Sequence, residues 1–123
     1  MKLELGAFAE ITRSFSSQDM SNFARQAGTV PGHYSTVPGP LIGALFSYLL
    51  GVKLPGRGTN YLKQDLNFLQ DAPLDEPLTA RVTVTRLRPE KHLVDLATVC
   101  TTQTGTLVCE GRALVYVEDV GKE

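Results

Sequence analysis

Residues 39–51 read Gly39-Pro40-Leu41-Ile42-Gly43-Ala44-Leu45-Phe46-Ser47-Tyr48-Leu49-Leu50-Gly51. Proline suits the first helical position, where its missing N–H costs nothing. Leu41, Ile42, Leu45, Phe46, Leu49 and Leu50 then return at helical spacing over a wide face. Gly51 is placed to end the helix. At about 1.5 Å per residue such a helix is only ~17 Å long. Being apolar or small nearly all round, it is expected to be central and buried.

Downstream of that helix the pattern switches to a period of two. Tyr61 to Leu69 alternates partly, Thr79 to Thr85 alternates cleanly around Ala80, Val82 and Val84, and Leu93 to Thr102 and Thr106 to Val117 flank Thr104-Gly105. A two-residue hairpin loop there puts Cys100 opposite Cys109, and one face collects Val94, Leu96, Thr98 and Cys100 with Leu107, Cys109, Gly111, Ala113 and Val115. Upstream, Leu3 to Phe15 reads as a strand, and Ser17-Gln18-Asp19 opens a short helix that stops near Gly28. Gly28, Pro31, Gly32, Pro38 and Gly39 then keep the segment between the two helices irregular. The sum is α+β: an antiparallel sheet wrapped around one central buried helix.

Composition bounds what such a domain does. The 123 residues are 42% hydrophobic and 20% charged, so residues 1–123 are expected to form one domain. Folding at this size buries roughly two thirds of the unfolded surface, enough for one core but little for a large pocket, and a partner chain would supply further walls. Twelve basic and thirteen acidic residues give a net charge of −1, which speaks against nucleic acid or an anionic membrane as partner. The apolar stretch Pro40 to Leu54 is shorter than the ~20 residues of a bilayer span. The N-terminus, with Glu4 and Glu10, lacks a signal-peptide core, so a cytoplasmic location is expected. Two cysteines and two histidines are too few for a metal set, and Cys100 and Cys109 are expected as reduced core thiols.

Chemistry gathers at the start of the long helix. Its first amides carry a partial positive charge, and Gly39, with no side chain, lets a carbonyl oxygen come close. His33, in the irregular loop just before, is the candidate proton carrier. The same residues also suit a plain helix start and a solvated loop histidine. Arg86, Arg88 and Lys91 make a local basic cluster, read as a solvated hairpin end or a contact for cofactor phosphates. No P-loop, GxGxxG or GxSxG pattern occurs.

Several of these residues resemble the MaoC-like hydratases, hotdog-fold proteins that include the (R)-specific enoyl-CoA hydratases. The resemblance runs from Ser17 to Val117 through Phe23-Ala24, Pro31, His33, Gly39 to Gly51, Leu54-Pro55-Gly56-Arg57-Gly58-Thr59-Asn60-Tyr61-Leu62, Leu78 to Val84 and Glu110-Gly111-Arg112-Ala113. It implies a single hotdog domain that pairs edge to edge into a homodimer. The implied substrate is an acyl thioester of CoA or a carrier protein, as in fatty acid metabolism, and no cofactor is needed. In that family an Asp and a His in a DxNPxH motif act with a glycine amide at the helix start. These positions fall on Gly28, His33 and Gly39, with Pro31 as the motif proline. The aspartate is thus a glycine here, the family's His-Gly pair reads Pro38-Gly39, and a stretch usual between His33 and that pair is missing. The expected activity is reversible hydration of a trans-2-enoyl thioester, with a thioesterase or a non-catalytic thioester-binding protein as the alternatives. No acidic residue lies between Met20 and Asp65, and Asp65, counted in phase with Tyr61 and Lys63, is the nearest substitute carboxylate.

Overall fold

The structure, a computed structural model, describes residues 3–26, 36–56 and 58–118. Its elements run β1 (Phe8–Arg13), α1 (Ser17–Gln26), α2 (Gly39–Tyr48), a π-helical turn (Leu49–Lys53), β2 (Thr59–Phe68), β3 (Leu78–Arg88), β4 (Leu93–Thr102) and β5 (Leu107–Val117). The five strands form one antiparallel sheet in the order β1-β3-β4-β5-β2, and α2 lies against its concave face. The first strand is shorter than the Leu3 to Phe15 expected from sequence.

Helix α1 begins at a reciprocal cap one residue earlier than Ser17. The Asp19 N–H donates to Ser16 Oγ (3.2 Å), and the Ser16 N–H donates to Asp19 Oδ2 (2.8 Å). These hydrogen bonds from Ser16, backbone first, hold the Asp19 carboxyl below its ordinary range. Met20 and Ala24, four residues apart, supply the buried side.

The long helix departs from expectation in two ways. Gly51 does not end it: the chain continues through a π turn in which the Leu54 N–H reaches Leu49 O (2.8 Å). The Gly56 N–H then closes on Leu50 O (2.9 Å). Gly56 is the stop, because it adopts φ +91°, which favours glycine, and Leu54 is thereby turned into the core. Nor is the helix buried all round. Ile42, Leu45, Phe46, Leu49 and Leu50 are buried, each contributing roughly 1.5–3 kcal/mol, whereas Pro40, Ala44, Ser47 and Tyr48 are exposed within this one chain.

Strands β3 and β4 alternate as expected. Leu78, Ala80, Val82 and Val84 face α2 beside Val94, Leu96, Thr98 and Cys100. Cys100 does pair with Cys109, and both are buried free thiols. The loop that sets this register is longer than two residues. The Thr102 N–H bonds Thr106 O (2.9 Å), Gly105 takes φ +90°, and an irregularity next to Cys109 restores the pairing. The extra residue is Val108, which is buried, so Leu107 falls out of the inward row to which alternation assigned it.

A second bulge, between Tyr61 and Lys63, resets the phase of β2. Gln64, Leu66 and Phe68 then share the inward face with Ala113, Gly111 and Cys109, while Asp65 pairs with Arg112 on the outer face. The sheet curls so tightly here that the β2 backbone at Asp65 occupies the place a Cβ on Gly111 would need.

Candidate active site

The amino end of α2 is held by its neighbours before the helix begins. Thr36 bridges to Pro73, and the Val37 N–H donates to Ala72 O (2.8 Å), which fixes the chain beside the segment that joins β2 to β3. Pro38 is the residue before the helix, with extended backbone (φ −62°, ψ 146°) and no side-chain cap, and the first turn contains no acidic residue. The Leu41 N–H bonds Pro38 O (3.1 Å). Pro40 has no N–H to offer, and the Gly39 N–H meets no acceptor among the described residues. Among the described residues, a bare amide at the positive end of a helix is thus left to meet a negative oxygen.

Phe68 defines one wall. A Cβ on Gly39 would stand 3.0 Å from Phe68 Cζ, so the missing side chain, rather than an unusual φ, is what lets the ring pack this close. The ring is about half exposed, and it also lines a cavity of about 250 Å³ with Leu69, Gln70 and Asp71. On the other side of α2, a cavity of about 210 Å³ is lined by Leu41, Phe15, Phe23, Asn22, Asp19 and Arg13. Deeper along the helix, Tyr61 lies beside Ser47 and Gln64. Burial pushes its phenol up, against the pull of those two side chains.

The sequence-derived candidates fare unequally. Gly39 stands where expected, at the helix mouth. His33 and Gly28 lie outside the described residues. Asp65 is turned to the outer face of its own chain by the β2 bulge, the opposite of the phase inferred from Tyr61 and Lys63. One residue packed against Gly39, Phe68, was not singled out as a site candidate from sequence. The bulge that aims Phe68 leaves no mark in the sequence. Asp71 precedes Ala72, whose carbonyl anchors Val37, and lines the cavity beside Phe68. Among the described residues no group of three or more His, Cys, Asp or Glu could hold a metal ion, and no helix is long and apolar enough to cross a membrane.

No family model matches the chain. Individual proteins do. The (R)-specific enoyl-CoA hydratase of Aeromonas caviae is 35% identical over 92% of this chain and 94% of its own length. The chain belongs to the (R)-specific enoyl-CoA hydratase family. A 3-hydroxybutyryl-CoA dehydratase of Methylorubrum extorquens is 31% identical over 94% of this chain and 81% of that protein. Among solved structures, an R-hydratase of Pseudomonas aeruginosa in the unliganded form superimposes with a TM-score of 0.85 at 31% identity, covering 98% of this chain and 84% of that one. The hydratase likeness establishes the hotdog fold.

Proposed function

We propose that this hydratase-family chain binds an acyl thioester, of CoA or of a carrier protein, with its carbonyl oxygen on the Gly39 N–H, and interconverts the trans-2-enoyl and 3-hydroxyacyl forms. The observation that carries this reading is the uncapped Gly39 amide at the start of an apolar helix. Addition of water places hydroxide character on the β-carbon and negative charge on the thioester oxygen, where an N–H aimed in advance lowers the barrier. A proton leaves the water and another arrives at the α-carbon. His33 carries that traffic in the family pattern, and Asp71, which lines the cavity beside Phe68, is our candidate to share it.

The exposed side of α2 and the apolar residues along β2 support assembly as a homodimer through the β2 edge, which would close the pocket from a second copy. Gly28 at the motif aspartate favours a second reading, binding without turnover. One experiment separates the readings: crotonyl-CoA is mixed with the protein and the enoyl absorbance and free thiol are followed together. Loss of absorbance above a His33→Ala control supports hydration. Thiol release instead marks a thioesterase, and tight binding with neither change marks the non-catalytic protein.

A further inference from the structure

On the opposite face of the sheet from Gly39, a bulge between Val84 and Arg86 rotates the end of β3 so that Arg86 and Arg88 both stand on the outer surface beside Asp95. Arg112, from β5, completes a groove of about 250 Å³ lined by Thr85, Arg86, Arg88, Asp95 and Arg112. We propose that this groove is an anion site for a phosphate group, separate from the thioester site and independent of the hydratase reading.

The charge count is the first argument. Three guanidinium groups face one carboxylate, which leaves the lining at about +2, the charge a phosphomonoester balances near neutral pH. Asp95 is spent on one partner: Arg88 Nη2 donates to its Oδ2 at 2.7 Å. Asp65 and Glu110 also lie on this face, with Asp65 directly opposite Arg112, yet neither forms an ion pair with it, and Arg86 has none among the described residues.

The second argument is an unmet donor. Arg88 is largely covered, and its Nε–H is buried with no hydrogen-bond partner. A buried donor on a charged group is costly to leave unpaired, and a small rotation of the guanidinium toward the groove would let an entering oxygen satisfy it. Thr85 is already committed, its hydroxyl donating to Asp95 O (3.1 Å), which ties the bulge to β4 and sets the floor. Size narrows the ligand. The groove is smaller than the ~300–1,000 Å³ of sites for drug-sized molecules, so it fits a phosphate group with the rest of its carrier outside.

The test is a titration with hydrogen phosphate against chloride at constant ionic strength, read by NMR of the arginine Nε–H groups. Saturable movement of the Arg88 Nε–H signal is expected, with affinity falling about tenfold or more in Arg86→Gln/Arg112→Gln and unchanged in Arg25→Gln. Both groove substitutions are at exposed positions, and an unaltered melting temperature checks that the fold stands. Absence of saturation, an equal response to chloride, or full binding by the double variant overturns the proposal. CoA and dephospho-CoA form a further pair of probes. Stronger binding of CoA that disappears in the double variant assigns the phosphate to the thioester carrier. Equal binding of the two, with hydrogen phosphate still bound, assigns it to a separate phosphomonoester, and either result supports the site.

Discussion

The two edges of the sheet are built on different terms. At the β1 edge the side chains neutralise one another: the Arg81 guanidinium lies over the Phe8 ring at 3.9 Å and pairs with Glu10 at 3.1 Å, while the Thr12 and Thr79 hydroxyls hydrogen-bond at 2.9 Å. At the β2 edge a longer strand carries a bulge and leaves Tyr61, Leu62 and Phe68 exposed, with Leu69 just beyond. Tyr48 and Val52 extend that apolar surface onto the helical segment. An unpaired strand edge is a template for another strand, and proteins either blunt it or use it. Here β1 is blunted from within, and β2 is left for use.

The strongest way to break this contrast is to detach β2. Gly111→Val should cost about 3 kcal/mol or more in urea unfolding, because the Asp65 backbone occupies the space of the new Cβ and neither strand can retreat without losing the curl. A loss below about 1 kcal/mol would show that β2 is not seated where the register places it.

Gly39→Ala tests the inner side of the same edge. The new methyl pushes against Phe68, whose half-exposed ring can swing away, so stability should change little. Turnover of crotonyl-CoA should nevertheless fall about 100-fold, since a shift of about 1 Å in a reacting group is enough for that. Partial recovery in Gly39→Ala/Phe68→Ala would assign the loss to the ring, and undiminished turnover by Gly39→Ala would remove the amide from the mechanism.

Leu62→Lys places a charge at the bulge of the β2 edge, at a position already half exposed. If the proposed homodimer forms through this edge, sedimentation should show its association weakened by about tenfold or more toward the monomer, with the unfolding free energy of one chain within ~0.5 kcal/mol of the parent. An unchanged dimer would mean that assembly uses another surface.

How far the sequence reveals this architecture depends on where strand phase is kept. Helix α2 was legible from Leu41 to Leu50 and β3 and β4 from their clean alternation, because burial of one face enforces a period. The errors of strand phase arose at irregularities. The bulges at Leu62 and Val108 reversed the assigned faces of Asp65 and Leu107, since an inserted residue changes every later orientation without changing composition. The helix stop moved from Gly51 to Gly56 because the deciding property, a positive φ, belongs to the backbone and not to glycine as such. Gly39 was legible as the helix start because Pro40 follows it, and as a bare one because it has no side chain. Phe68 reaches it across 29 positions of chain through a register no local pattern fixes.

Between the edges, the Cys100–Cys109 pair reports on a sealed interior. Burial pushes the Cys100 thiol up to about 11, helped by its neighbour Cys109, and burial also raises Cys109 against the pull of the Asn67 backbone. Because a thiol in the unfolded chain ionises near 9 and the folded one higher, stability is intact below pH 9 and declines as pH rises from 9 toward 11. Thermal melts across that range should fall less steeply in Cys100→Ala than in the parent, after allowance for the smaller core. Thiol labelling at neutral pH should proceed only as fast as the sheet opens.

The smallest effect is expected at the blunted edge, and it carries the contrast furthest. Phe8 is about as exposed as Leu62 (53% against 54%), so exposure alone would make both interface residues. The difference is what each ring or chain already touches: Phe8 is covered on one face by Arg81, which Glu10 holds in place. Phe8→Ser should therefore cost only ~0.5–1 kcal/mol, the worth of an exposed cation–π contact, and leave the dissociation constant of the proposed dimer unchanged. If Phe8→Ser instead dissociates the dimer while Leu62→Lys does not, the edges have been assigned the wrong way round, and a guanidinium stacked on a ring would mark a surface awaiting a partner, not one that has dispensed with it.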